Sequence, residues 1–89
     1  MLSVQGDLGE ALFKEWTDEQ KRDEIGRLVV GFRAGLPVGI LCNMAAKIAG
    51  GEAPARRYLL SFMSLEERQS AVAKESGAVK ELVGRFLGV

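Results

Sequence analysis

Residues 37–49 read PVGILCNMAAKIA, a run with one charged side chain, Lys47, among mostly apolar residues. If the run is helical, apolar side chains lie on almost every face of the helix: Val38, Ile40, Leu41, Cys42, Met44, Ala45 and Ile48. Such a helix is usually the central one of a bundle, covered on several sides by its neighbours. Pro37 fits the first turn, where a missing N–H costs nothing, and Gly50 with Gly51 ends the helix. The segment therefore predicts a central helix over residues 37–49.

The segment before this helix carries the clearest helix start in the chain. Residues 17–20 read TDEQ. The Thr17 hydroxyl can accept a hydrogen bond from the third backbone N–H of the helix while the Gln20 side chain returns the bond, which makes a capping box. The apolar stripe that follows has a spacing of three and four residues: Ile25, Leu28, Val29 and Phe32. Further upstream, Leu8, Leu12 and Trp16 lie one turn apart and predict another helix.

Helical spacing continues to the C-terminus. We expect a fourth helix from Pro54, a fifth from a second capping box at residues 64–67 (SLEE), and a last apolar stripe over residues 79–87. The residues expected to face inward are Ala55, Tyr58, Leu59, Phe62, Leu65, Ala71, Val72, Val79, Leu82, Val83, Phe86 and Leu87. Strand-like alternation of apolar and polar residues is nearly absent. The sequence predicts an all-α fold: one domain over residues 1–89, folded as a compact bundle of five or six short helices.

Residue counts exclude several classes of function. The chain has no His and a single cysteine, Cys42, so catalytic triads, imidazole ligands, internal disulfides and multi-thiolate metal sites are excluded. Acidic residues in first helical turns, such as Asp18 and Glu66, are expected to complement helix dipoles in solvent. Cys42 lies on the most apolar helix, which favours a buried, inert thiol. We therefore expect no catalysis, no metal and no cofactor.

The charge balance and the cysteine content bear on location. Twelve Lys and Arg against twelve Asp and Glu give a formal net charge of zero, so no basic excess favours nucleic acid or an anionic membrane. The longest uncharged stretch, residues 34–46, is shorter than the roughly 20 apolar residues that a membrane-spanning helix needs. An unpaired thiol fits a reducing compartment. We expect a cytoplasmic chain without a membrane segment.

The most specific local pattern lies in residues 69–88, which resemble a helix-turn-helix of the repressor type. Small Ala73 would let two helices cross and Gly77 would take a left-handed turn, while the shared core would be filled by Val72, Ala78, Val83 and Phe86. In a DNA-binding regulator of this kind, Lys80 and Arg85 would contact the duplex. Other outward positions are apolar or acidic, and residues 64–89 hold four basic and four acidic side chains, which disfavours DNA. A plain helical hairpin produces the same buried pattern.

Charge is unevenly distributed despite the zero sum. Residues 1–24 carry three basic and seven acidic groups, a net −4, and residues 25–63 carry five basic and one acidic group, a net +4. The basic set is Arg27, Arg33, Lys47, Arg56 and Arg57. One interpretation is self-complementary, with the acidic helix docked on the basic face of its own bundle or of another copy. A second is recognition of an acidic surface on another protein, and a third is a scattered, solvated shell.

These observations favour a small, non-catalytic, protein-binding regulatory module of the inhibitor or adaptor type. The predicted binding residues form an arginine-rich rim on a helical face: Arg27, Arg33, Arg56, Arg57 and Tyr58. Aromatic anchors beside arginines are enriched at protein interfaces, which singles out residues 56–58 (RRY). Eleven glycines weaken a fold of this size, so we expect a homodimer or a complex with a partner. The helix-turn-helix DNA binder remains the alternative, and a purely structural, self-assembling subunit also remains open.

Overall fold

The computed structural model describes Phe13 and residues 15–89, and every regular element within them is a helix. The five helices are α1 (Asp18–Arg33), α2 (Val38–Ala49), α3 (Glu52–Phe62), α4 (Leu65–Ala73) and α5 (Gly77–Leu87). The predicted all-α bundle of short helices is confirmed. The upstream helix predicted through Leu8 and Leu12 lies outside the described residues. None of the described helices combines the length and the apolar content needed to cross a membrane.

Side-chain caps fix the starts of α1 and α4. At α1 the Thr17 hydroxyl accepts from the Gln20 N–H at 3.1 Å, and Gln20 Oε1 accepts from the Thr17 N–H at 2.8 Å, so the predicted capping box is confirmed. At α4 the Ser64 hydroxyl accepts from the Glu67 N–H at 3.1 Å. Both carboxylate oxygens of Glu67 accept hydrogen bonds from Arg33 instead of reaching back to Ser64. The second predicted capping box is therefore half formed, because a charged two-pronged pair is stronger than a bond to a backbone amide.

The link between α2 and α3 follows the predicted glycine pair, with one difference in helix start. Gly50 ends α2 in the left-handed region at φ +86°, which a glycine adopts without the Cβ clash of other residues. Helix α3 begins at Glu52, two residues before the expected start at Pro54. Pro54 falls within the first turn, where backbone N–H groups have no partner inside the helix, so its missing donor is tolerated.

One apolar core joins the helices, and α2 is at its centre. The buried residues are Ile25, Val29, Val38, Leu41, Cys42, Ala45, Ile48, Ala49, Ala55, Leu59, Met63, Ala71, Val83, Phe86 and Leu87. Helix α2 packs against α1, α3 and α5, which agrees with the predicted central position. The neighbouring helices cover less of the α2 surface than predicted, because the side chains of Ile40 and Met44 remain 48% and 38% exposed. Three packed neighbours bury one broad face of a helix and leave the opposite face in solvent.

Three residues predicted to face inward near the C-terminus are exposed. Leu65, Val79 and Leu82 have exposed fractions of 52%, 48% and 50%. Helix α4 has only nine residues, and its main packing partner is α5, so one small residue, Ala71, makes its buried contact. Helix α5 buries the side that carries Val83 and Leu87. The apolar stripe of α5 is therefore wider than the face that the bundle covers.

Two arginines hold the C-terminal end of α5. The Arg56 Nε of α3 donates to the Phe86 carbonyl at 3.3 Å, and the Arg68 Nη1 of α4 donates to the Leu87 carbonyl at 2.9 Å. The Arg68 Nε also donates to the Met63 carbonyl, just beyond the end of α3, at 3.3 Å. The last carbonyls of a helix have no partner within it and carry its negative dipole end, so these cations satisfy and stabilise it.

Close packing between α1 and α3 depends on a glycine inside a helix. A Cβ placed on Gly26 would lie 3.1 Å and 3.2 Å from ring atoms of Phe62, whereas a Cβ on Gly31 of the same helix would meet nothing within 4 Å. Two glycines with the same helix propensity therefore have different roles. Gly26 lets the Phe62 ring approach the backbone of α1, and Gly31 lacks any such contact.

We predict opposite effects on stability for alanine at these two positions. Gly31→Ala is expected to raise the free energy of unfolding by about 0.5–1 kcal/mol, because alanine costs less entropy in a helix. Gly26→Ala is expected to lower it by roughly 1 kcal/mol or more, because the added methyl group overpacks Phe62. Urea denaturation followed by circular dichroism measures both changes. Equal stabilisation by the two substitutions would contradict the close contact at Gly26.

Candidate protein-binding site

The five residues predicted to form an arginine-rich rim lie in different parts of the bundle. Arg27 projects from the side of α1 opposite the buried Ile25 and Val29, since residues two apart on a helix point about 200° apart. Its side chain is 81% exposed and forms only an ion pair with Glu24, at 3.5 Å. Such a pair on a helix surface contributes little to stability. Arg27 is therefore a solvated residue away from the other four.

Arg33 is part of the internal structure. Its Nε and Nη2 donate to the two carboxylate oxygens of Glu67 at 2.8 Å and 2.9 Å, and its Nη2 also donates to the Phe62 carbonyl at 2.9 Å. The hydrogen bond from Arg33 lowers the pKa of Glu67, against the opposing effect of burial. The same hydrogen bond raises the pKa of Arg33. Arg33 thus joins the end of α1 to the end of α3 and the start of α4.

Arg56 and the alternative DNA-binding residue Arg85 share one carboxylate. The Arg56 Nη2 lies 3.0 Å and the Arg85 Nε 3.2 Å from Oε2 of Glu52. Arg56 also donates to the end of α5, so its guanidinium is directed toward α5 rather than toward solvent. Two cations on one carboxylate join the start of α3 to the last turn of α5.

Arg57 and Tyr58 face a groove between α1 and α3. The groove has a volume of about 680 Å³ and is lined by Asp18, Glu19, Lys21, Arg22, Ala49, Pro54, Arg57, Tyr58 and Ser61. The Tyr58 hydroxyl donates to Asp18 Oδ1 at 3.5 Å, a long hydrogen bond. Burial, followed by the charge of Asp18, raises the pKa of Tyr58, so its hydroxyl stays protonated and able to donate at neutral pH. Two of the five predicted residues therefore share one concave surface.

A second groove adjoins the first one and shares Lys21 with it. It has a volume of about 390 Å³ and is lined by Phe13, Lys21, Ala46, Lys47, Ile48, Gly50 and Gly51. Phe13 packs edge-to-face on Trp16 with 5.0 Å between ring centroids, which places an aromatic wall at this end of the bundle. We call the two grooves together the basic double groove. It lies where α1 begins, α2 ends and α3 begins.

The basic double groove contains cations that the rest of the described chain does not neutralise. Lys21, Arg22, Lys47 and Arg57 form no ion pair with any described carboxylate. Arg22 instead stacks its guanidinium over Phe62, 5.6 Å from the ring centroid. Lys21 and Arg22 were absent from the predicted rim, because they belong to the N-terminal segment with net negative charge. Their signal was a pair of adjacent cations one turn after a helix start.

The geometry of α4 and α5 bears on the DNA-binding alternative. The two helices form the predicted hairpin, and Gly77 takes the predicted left-handed conformation at φ +61°. Ala78 and Ala73 are exposed rather than buried, and Ala71 makes the close contact instead. Lys80 and Arg85 are five residues apart and therefore point about 140° away from each other around α5. The two cations do not share one face for a DNA groove.

Chemical groups suited to catalysis are sparse in the part of the chain that the structure describes. Cys42 is 4% exposed, and burial, with a smaller effect from Glu52, raises the pKa of its thiol to about 12. A neutral, covered thiol is a poor nucleophile and a poor metal ligand. Within residues 15–89 and Phe13, no three potential metal ligands are grouped together. Cys42 is buried as predicted and contributes to packing.

The comparisons with known proteins give no match: no family model fits the chain, and no curated protein or solved structure is significantly similar to it.

We predict that the Arg33–Glu67 pair makes stability depend on pH in the acidic range. Because the folded pKa of Glu67 lies below its ordinary value of 4.5, the pair stabilises the fold above that value and is lost as pH falls through the folded pKa. Glu67→Gln is therefore expected to be less stable than the wild-type chain at neutral pH and equally stable near about pH 2. Urea denaturation across this range measures the difference.

The matched control for this prediction is Glu66→Gln. Glu66 is an exposed neighbour in the same first turn, and Arg33 forms its described ion pair with Glu67 rather than with Glu66. We expect this variant to follow the wild-type chain much more closely. A loss of stability for Glu67→Gln that persists unchanged at the lowest pH would contradict the pair.

Proposed function

We propose that this chain is a small, non-catalytic regulatory module that binds another protein through the basic double groove. The observation that supports the proposal is the grouping of Lys21, Arg22, Lys47 and Arg57 in two adjoining concave surfaces without ion-pair partners in the described chain. Arginine and aromatic side chains, such as Arg57 and Tyr58 here, are enriched at protein-binding surfaces. The absence of His from the sequence and the covered thiol of Cys42 agree with a role in binding.

The binding residues of this proposal differ from the predicted rim. Arg57 and Tyr58 stay in the site, while Arg33 and Arg56 support it by holding the helices in place. Arg57 is exposed, and Tyr58 beside it is partly covered, so the pair offers a charged fork and an aromatic edge to a partner. An inhibitor or adaptor of this kind acts by covering a surface of its partner or by bridging two proteins.

We predict that Arg57→Glu releases the native partner without disturbing the fold. Arg57 forms no side-chain hydrogen bond or ion pair among the described residues, so its charge reversal is expected to leave the helical circular dichroism and the unfolding midpoint unchanged. Reversal of a charge at the centre of an interface commonly weakens binding by roughly 2 kcal/mol or more. The measurement is capture of partners from the native host with tagged protein, followed by the affinity of the purified pair.

Arg27→Glu is the matched control, because it makes the same substitution on an exposed residue outside the basic double groove. Capture that survives Arg57→Glu, or is lost equally with Arg27→Glu, would contradict the proposed site. Arg56→Glu is unsuitable for this purpose, since it would also remove the donor to the end of α5.

We also propose that the chain forms a homodimer in the cytoplasm. Four half-exposed apolar side chains on two neighbouring helices support self-association: Ile40 and Met44 on α2, and Val79 and Leu82 on α5. Apolar residues grouped on the surface of a small domain commonly mark an interaction site. Cys42 is a free thiol, and an unpaired thiol fits the reducing environment of the cytoplasm.

We predict that Leu82→Glu converts the dimer to a monomer. Leu82 is 50% exposed, so the substitution places a charge at the proposed interface without burying it in the monomer core. Mass measurement by analytical ultracentrifugation at several concentrations is expected to show concentration-dependent dimer for the wild-type chain and monomer for the variant. Leu60→Glu, on the exposed side of α3, is the control. A wild-type chain that stays monomeric at all concentrations would refute the dimer.

A further inference from the structure

We infer that the basic double groove binds an acidic segment of the partner that carries an apolar anchor residue. The inference rests on the proposed protein-binding function and names the chemistry of the bound segment. Both grooves border Lys21, so a single segment lying across this residue contacts the cations of both. The distribution of charge and the composition of the groove floor each define one property of that segment.

Charge defines the first property. The lining of the two grooves carries four cations, Lys21, Arg22, Lys47 and Arg57, against the two carboxylates Asp18 and Glu19, a net +2. This local excess stands on a chain whose total charge is zero. An acidic partner segment gains attraction from these cations and does not have to displace an existing ion pair in the described chain. The groove therefore selects carboxylates.

The floor of the second groove defines the second property. Phe13, Ala46 and Ile48 line this groove together with Lys21 and Lys47, so the two lysines border an apolar surface. Gly50 and Gly51 add no side chain to the rim and leave the mouth of the groove open. A leucine or phenylalanine side chain placed here loses contact with water while carboxylates on either side reach the two lysines.

The acidic rim distinguishes a protein segment from a nucleic acid. Asp18 and Glu19 line the first groove together with Arg22 and Arg57. A nucleic-acid backbone carries a phosphate charge at every nucleotide and would meet these carboxylates at close range. In a peptide, the residue opposite Asp18 and Glu19 can be neutral or basic. The mixed lining thus favours a peptide.

The test uses a fluorescein-labelled synthetic peptide of roughly 15 residues, rich in Glu, with Leu and Phe at helical anchor spacing. Fluorescence polarisation with the full chain is expected to show binding that weakens as salt is raised, because exposed charges are screened. Lys21→Glu is expected to weaken binding by roughly tenfold or more, equal to about 1.4 kcal/mol. This variant is expected to keep the fold, because Lys21 forms no ion pair with a described carboxylate, and circular dichroism checks that it does.

Three comparisons make the outcome specific. Arg27→Glu, on the same helix, is the matched control and is expected to bind as the wild-type chain does. A peptide with Ser in place of its Leu and Phe residues is expected to bind more weakly, and a peptide with Lys in place of Glu is expected not to bind. Equal binding of the Ser peptide would overturn the apolar anchor, and tighter binding of a short DNA duplex than of the acidic peptide would overturn the peptide assignment.

The inference and the proposed function fail in different ways. If Arg57→Glu releases the native partner but the acidic peptide does not bind, the protein-binding function stands and the acidic-segment inference is wrong. If the peptide binds more tightly to a full chain carrying Asp7→Asn and Glu10→Gln, the groove belongs to the acidic N-terminal segment of this chain rather than to a partner. If Lys21→Glu leaves peptide binding unchanged, the basic double groove is not the site.

Discussion

The C-terminal end of α5 must be supplied with hydrogen-bond donors from elsewhere in the chain, and this requirement organises the bundle. Phe86 and Leu87 are buried, so water is largely kept from the last carbonyls of the helix. Arg56 of α3 and Arg68 of α4 reach these carbonyls, and each thereby ties its own helix to α5. Without these donors the last helix would keep its apolar contacts but leave part-buried acceptors unsatisfied.

This use of arginine determines which cations remain for binding. Arg33, Arg56, Arg68 and Arg85 each contact carbonyls or carboxylates of a different helix. Four other cations line the basic double groove, where α1 begins, α2 ends and α3 begins: Lys21, Arg22, Lys47 and Arg57. An ion pair removes one charge of each sign, so the internal pairs do not create the positive excess of the groove. The groove is basic because the fold brings four cations together beside only two carboxylates, Asp18 and Glu19.

The sequence predicted the helices more fully than the site. The Thr17 capping box, the glycine pair after Ala49 and the stripe through Ile25 and Val29 are local patterns, and the structure contains all of them. The prediction that Leu65 and Leu82 are buried was wrong. An apolar stripe shows which side of a helix prefers the core, but it does not show how wide a face the neighbouring helices cover. Such cover depends on packing between helices far apart in sequence.

The site was predicted in part for a related reason. Arg57 and Tyr58 were identified because they are adjacent in sequence, and in the structure both of them line the same groove. Arg33 and Arg56 belong to the same basic stretch of sequence as Arg57, but they bond within the fold instead. Their partners, Glu67 and Phe86, lie 34 and 30 residues away. A count of charges along the chain does not reveal pairs at that separation. The same count assigned Lys21 to the acidic N-terminal segment and Lys47 to the basic segment, although both residues line one groove in the fold.

The two proposed surfaces adjoin each other on the central helix, so the two proposals are linked. Lys47 of the basic double groove lies three residues after Met44 and seven after Ile40 on α2, and the three side chains therefore point within about 60° of one another. Association of two copies through Ile40 and Met44 would place Lys47 of each copy at the edge of the dimer interface. A partner segment that reaches Lys47 would then compete with self-association for the same side of α2.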